Sequence, residues 1–225
     1  MKWRERDGVE WLEAELPCSR AVFSTRSAGS VKEDVAPLAA ALGIAPERIA
    51  VARQVHGADL IVHDRHSEHA SGTEEAVEVD GHVLVAPGTT ALVFTADCLP
   101  IALAGPRGAA ILHCGRRGLA AGIVARGVAA IDATHAAIGP GIGPCCYEVG
   151  DEVLESFAGL GDGVASDRML DLPEVACRLL RQAGVEEIES AGLCTCCEEG
   201  RFFSHRRDGG PGRQAGLVWI EREPS

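Results

Sequence analysis

The sequence predicts an α+β fold in a single domain spanning residues 1–225, and three observations carry that prediction. Residues 80–114 hold four closely spaced apolar, β-rich stretches separated by short turns. Residues 116–135 and 170–185 instead carry their apolar side chains on helical spacing. The two kinds of segment follow one another irregularly, which argues against the strict alternation of a parallel βαβ sheet. A chain of 225 residues can bury one substantial core, and neither a repeat nor a linker divides it.

Taken in order, "RAVFSTRS" (20–27) reads as the first strand, and "DVAPLAAALGIAPER" (34–48) as a short Ala/Leu helix closed by Gly43. In "IAVARQVHGADLIVHD" (49–64) β-branched residues outnumber helix formers, so two strands or one strand kinked at Gly57 are expected. The polar, His-rich run 63–78, with His63, His66 and His69, reads as an exposed loop. Strands follow at "DGHVLV", Thr90–Thr95, Ile101–Ala104 and Ala109–Leu112, with Pro-Gly and "GPRG" turns between them. One helix is expected over "RRGLAAGIVARGVAAIDATH", a short amphipathic one over 149–157, and a third over "LDLPEVACRLLRQAGV", with Pro173 in its first turn. The end returns to a strand at "GLVWIE".

Charge narrows the function. Lys and Arg total 21 against 33 Asp and Glu, a net charge of -12, which opposes nucleic acid and anionic lipid over most of the surface. An anionic substrate must therefore find a local basic pocket. No apolar run is long enough for a membrane span and no export signal precedes the first strand, so a cytoplasmic location is expected. Nine cysteines, an odd number in a chain of this size, read as reduced thiols rather than a disulfide framework. Within "CTCC" (Cys194, Cys196, Cys197) and the pair Cys145-Cys146, buried or redox-idle thiols are expected rather than ligands of one ion.

Three groups stand where an apolar segment gives way to a turn: His56 in "RQVHGADL", Cys98 in "TADCLPI" and His113 in "ILHCGRRG". Two imidazoles and one thiolate form the ligand set of a zinc site that keeps a fourth position open for water. Their long spacing equally allows two hydrogen-bonded histidines and a small buried thiol.

The ordered motifs "RQVHG", "TADCLPI", "HCGRRGLAAGIV", "GPGIGPCCYEVGDEV" and "CT…RFFSHRRDGGPGRQAG" closely resemble the polyphenol oxidase (laccase-domain) family, also called purine nucleoside phosphorylases and peptidoglycan editing factors. The resemblance implies a layered α/β/β/α fold and a zinc-dependent enzyme that cleaves purine nucleosides with phosphate and deaminates adenosine. It also implies that His56, Cys98 and His113 are the metal ligands and catalytic residues. Departures are Cys114 and Arg116 in "HCGRRGL", where the family has a small residue and a tryptophan, and a shortened region after "STRSAG".

Phosphorolysis needs an oxyanion clamp, for which the planar fork of arginine is suited. Arg26, Arg117 and either Arg206 or Arg207 are the candidates, Arg117 because it shares a turn with His113, with backbone N–H groups added by a helix opening near Gly118. Gln54, two residues before His56, would share its face in an extended strand and bond the substrate, whereas Asp97 would point away from Cys98 as a supporting acid. The expected partners are a purine nucleoside and phosphate, acting on a monomer or homodimer. Two other chemistries compete. A copper polyphenol oxidase would need paired His-x-His motifs, which none of the eight histidines forms. A cysteine hydrolase or amidase acting on cell-wall precursors would use Cys98 as nucleophile and His113 as base.

Overall fold

Asp7 and Gly8 open the structure with a two-residue hairpin. The computed structural model describes residues 1–64 and 77–221. In it β1 (Lys2–Arg6) and β2 (Val9–Leu16) pair antiparallel, with Arg6 opposite Val9. Asp7 and Gly8 both take positive φ, the geometry of a primed hairpin turn. The sequence expectation started the strands only at residue 20. All of β1 is exposed, so its charged residues carry no inward-outward alternation.

The chain continues through β3 (Ser19–Ser24), α1 (Ala36–Leu42), β4 (Ile49–Ala50), β5 (Leu60–His63), β6 (Gly81–Leu84), β7 (Thr90–Thr95), β8 (Leu99–Gly105) and β9 (Gly108–Cys114). Next come α2 (Arg116–Ala120), α3 (Ile123–Ile131), β10 (His135–Ile138) and α4 (Asp151–Phe157). The small ribbon β11 (Ala165–Ser166) and β12 (Met169–Leu170) precedes α5 (Leu172–Gln182), β13 (Glu187–Ser190), α6 (His205–Asp208) and β14 (Gln214–Ile220). The helix expected over 116–135 is thus two helices. Gly122, at φ 86°, takes a left-handed conformation that breaks the ladder between them.

Among the described residues two six-stranded sheets result, β1-β2-β3-β14-β7-β4 and β13-β10-β8-β9-β6-β5. Three apolar clusters fill the spaces between four layers. α1 covers one face of the first sheet through Leu38, Ala39 and Ala41 against Val22, Leu92 and Leu217. Between the sheets lie Phe23, Val93, Ile111 and Val218 with a lining of small residues, Ala14, Ala91, Ala102 and Ala109. On the far face of the second sheet α2, α3, α4 and α5 pack through Leu119, Ile123, Val153 and Val175 onto Ile101, Leu103 and Leu112. The fold is therefore α+β in α/β/β/α layers. Period-two alternation sorts each central strand: in β9, Ala109 and Ile111 face the first sheet while Ala110 and Leu112 face the helices. Each fully buried Leu or Ile contributes about 1.5–3 kcal/mol, so the three seams fix the layering. The sheets approach closely because a Cβ on Gly216 would lie 2.5 Å from Pro100 Cβ.

His63 departs from the loop expected for 63–78. It ends β5, is buried, and lies 2.9 Å through Nε2 from Nδ1 of His82 in β6. His66 and His69 lie outside the described residues.

A candidate metal centre in a basic cleft

The chain passes from one sheet to the other at one end of the sandwich, and there it leaves the candidate residues. His56 lies in the crossing from β4 to β5, Cys98 in the crossing from β7 to β8, and His113 near the end of β9. The ladder places Pro100 opposite His113 and Leu99 opposite Cys114, so Cys98 lies beside Gly115. That glycine is needed. A Cβ on it would lie 2.8 Å from Cys98 Sγ and 3.3 Å from His56 Cδ2. Gly118, inside α2 rather than at its start, leaves room in the same way for the backbone carbonyl of Gly57.

Potential donor atoms of His56, Cys98 and His113 all lie within 4.8 Å of one another, and the two imidazole rings meet edge to face at 4.8 Å. The donor set suits a zinc-type or other thiophilic cation, and the space kept by Gly115 is a cradle that any larger residue would fill. The residues present therefore fit a metal ion. Cys114 stays out of the set: it is buried among the residues under the helices, and that burial, with the nearby Cys98 and Asp80, pushes its thiol well above the ordinary range.

Asp80, just before β6, organises the site. Its buried carboxylate accepts three successive backbone N–H groups, from Val55 (3.1 Å), His56 (2.9 Å) and Gly57 (2.6 Å), and lies 2.8 Å from Nδ1 of His113. His56 is thereby held at φ 63°, a left-handed conformation costly to a non-glycine residue. With Nδ1 held by a carboxylate, His113 keeps Nε2 for a ligand, the arrangement that orients metal-binding histidines elsewhere. Burial works against the Asp80 carboxylate, yet the bonds from His113 and the backbone hold it below its ordinary pKa. Burial likewise opposes charge on the other two groups and is again outweighed. Bonds from His113 and His56 bring the Cys98 thiol down to about 6, and bonds to Asp80 and Cys98 raise His113 to about 9. The sulfur is thus predisposed to the thiolate form that a cation requires.

All three groups line a cleft of about 780 Å³. In a chain of net charge -12 its rim is basic, with Lys32, Arg53, Arg116, Arg117, Arg206 and Arg213. Arg206 rests 5.2 Å from the centre of the Tyr147 ring and donates to the carbonyls of Cys146 and Glu148. Asp97, at φ 83°, accepts from Thr195 Oγ1 (2.8 Å) and from the Arg206 backbone (2.7 Å), so it supports the wall.

The structure sorts the other sequence candidates. Arg117 lines the cleft. Gln54 also lines it, but its amide is engaged with the Phe94 backbone, donating to the carbonyl (2.8 Å) and accepting from the N–H (2.7 Å). That exchange ties the His56 segment to β7, because the chain is irregular there rather than extended. Arg26 falls outside the lining residues, donating to the Glu199 carbonyl (2.6 Å) with its guanidinium over Phe203. Arg207 does too. It pairs with Asp208 and donates to the carbonyls of Thr195, Cys196 and Phe202, which makes it a brace for the turn after β13. Sequence reasoning missed Asp80, Lys32, Arg53, Tyr147, His205 and Arg213. For Arg213 and His205 the motif "FFSHRRDGGPGRQ" was the available signal, and for Tyr147 the motif "GPGIGPCCYEVGDEV"; Asp80, Lys32 and Arg53 carry none locally.

Residues 20–221 match the family described as multi-copper polyphenol oxidoreductase laccase. A purine nucleoside phosphorylase of Xylella fastidiosa is 36% identical over 184 residues, covering 75% of this chain and 70% of that protein. One from Deinococcus radiodurans is 38% identical over 203 residues, covering 84% and 75%. The solved structure of the hypothetical protein YfiH of Bacillus licheniformis superposes with a TM-score of 0.85 at 26% identity, covering 97% of this chain and 99% of its own.

Proposed function

The chain belongs to the multi-copper polyphenol oxidoreductase laccase family, and on that premise we propose that it is a zinc-dependent purine nucleoside phosphorylase that also deaminates adenosine. Its substrates on this proposal are adenosine, inosine, guanosine and methylthioadenosine. The observation that carries it is the convergence of His56, Cys98 and His113 on one wall of a basic cleft in an otherwise acidic molecule. Relatives named purine nucleoside phosphorylase support an enzyme of that kind.

His56, Cys98 and His113 would hold the ion. When bound, zinc supplies Lewis-acid polarisation of an oxygen atom at the site. The chain's own groups do the rest. Asp80 fixes the His113 ring and the His56 backbone, so the donors are set before an ion arrives. Arg116, Arg117, Arg206 and Arg213 draw phosphate into the cleft and orient it by charge-assisted bonds. Phe94 and Tyr147 offer apolar wall to a planar base. In phosphorolysis a phosphate oxygen forms a bond to C1′ as the glycosidic bond breaks, and the electron pair leaves with the purine. Deamination puts a water oxygen on C6 and expels the amino group as ammonia.

The purified zinc-loaded protein, incubated with inosine and with adenosine, tests this directly. Ribose 1-phosphate and free base should form only with phosphate, and ammonia from adenosine with or without it. Absence of all these products would overturn the proposal. Metal analysis of the active protein should find zinc, and copper in its place would restore the oxidase alternative.

One observation favours a second chemistry. Asp80, His113 and Cys98 form an acid–imidazole–thiol series suited to a cysteine hydrolase. Amidase activity on cell-wall precursors that survives exhaustive zinc removal and is lost in Cys98→Ser would select it.

A further inference from the structure

Outside the cleft, two turns bring four cysteines together. Cys145 and Cys146 follow Gly143 and Pro144, in a turn closed by the Cys146 N–H to the Gly143 carbonyl (3.1 Å). Cys194 and Cys197 lie in a second turn after β13, closed by the Glu198 N–H to the Cys194 carbonyl (3.0 Å). All four sulfurs lie within 4.8 Å of one another, with Cys197 Sγ 3.3 Å from that of Cys145 and 3.4 Å from that of Cys146. The four thiols thus converge on one point, although their positions in the sequence suggest separate groups. Adjacent cysteines in a strand would face opposite ways, but a turn lets both reach one point.

We propose that Cys145, Cys146, Cys194 and Cys197 form a second metal site, a structural tetrathiolate centre for zinc(II). With zinc–sulfur bonds of about 2.3 Å, a tetrahedron sets its sulfurs roughly 3.8 Å apart, within the range seen here. Cys194 and Cys197 have the C-x-x-C spacing common in structural zinc sites. The surroundings suit an anionic thiolate centre. The Gly143 N–H donates to Cys194 Sγ (3.3 Å), and Arg206 and Arg207 donate to the carbonyls of Cys146 and Cys196. Cys145 and Cys197 are exposed, which gives a cation a way in.

The centre would clamp one wall of the cleft. Its first turn leads into Tyr147, and its second holds Thr195, which donates to Asp97 beside Cys98. The turns already meet through the Thr195 N–H to the Gly141 carbonyl (3.0 Å). An ion across the four sulfurs adds a crosslink between residues about fifty apart in the chain.

Metal counting tests this independently of the proposed activity. Reduced full-length protein is stripped with a chelator, titrated anaerobically with Zn²⁺ or Co²⁺, and analysed by native mass spectrometry and visible absorption. Wild type should take two ions per chain. The double variant Cys194→Ser, Cys197→Ser should take one. The double variant His56→Ala, His113→Ala should also take one, and its Co²⁺ form should show the sulfur-to-cobalt charge transfer and strong tetrahedral bands of a tetrathiolate. Should the serine variant fail to fold by circular dichroism, the histidine variant decides alone. Equal ion counts in wild type and a folded serine variant would overturn the proposal, as would no ion bound by the histidine variant, or a disulfide among the four cysteines under reducing conditions.

Discussion

Asp80 shows how one residue can govern a site that it does not itself line. Its carboxylate collects three consecutive N–H groups and an imidazole, bonds that no neighbouring sequence feature announces. Asp80→Asn keeps the shape but loses the charge that these donors face. Zinc affinity should fall about 10- to 100-fold by competition with a chromophoric chelator. The adjacent arginines make a sharper pair. Arg206→Ala should raise the KM for phosphate about tenfold or more, because it removes a cation from the cleft, and should also lower Tm, because the carbonyls of Cys146 and Glu148 lose their donor. Arg207→Ala should leave that KM unchanged and cost roughly 1–3 kcal/mol in urea denaturation, because three carbonyls lose their donor. At this scale the three candidate ligands were legible from ordered motifs. Asp80 was not, since only the β6–β9 pairing brings it to His113.

Among the elements, adjacent strands β5 and β6 bring His63, which sequence reasoning left in a loop, against His82, which it placed in a strand. Burial, and then the neighbouring His63, depress His82 from the ordinary 6.5 to about 3. The folded protein thus keeps this ring neutral while the unfolded chain protonates it below 6.5. Its contribution is complete above about pH 6.5 and is lost as pH falls toward 3. Between pH 7 and pH 5 the loss is about 2 kcal/mol. Urea midpoints across that interval should fall more steeply for wild type than for His82→Asn, and parallel slopes would refute the assignment. Element boundaries were legible where local chemistry is strong, as at Gly43 ending α1 and Pro173 opening α5. The first hairpin escaped because β1 is exposed throughout, although Asp7-Gly8 marks its turn. The break at Gly122 escaped because apolar spacing continues across it.

For the molecule as a whole, the contrast between a chain of net charge -12 and a basic cleft implies electrostatic focusing. Raising ionic strength from about 0.02 to 0.5 M should increase the KM for phosphate several-fold while leaving the KM for adenosine in deamination nearly unchanged. Equal shifts in both would show that the cleft charge does not select the anion. The α+β class was legible from residues because strand and helix periodicities differ. The division into two sheets was not, because strands covered on both faces read as unbroken apolar runs, and only the family resemblance anticipated the layers.

On the proposed reading, side chains from two crossings of the sandwich and from the end of β9 grip one ion that the chemistry requires. Diffraction from crystals of the active protein, recorded on both sides of the zinc absorption edge, tests it most directly. An anomalous peak should appear bonded to His56, Cys98 and His113, and should be lost together with phosphorolysis after chelation. No peak among those residues in a fully active crystal would contradict it.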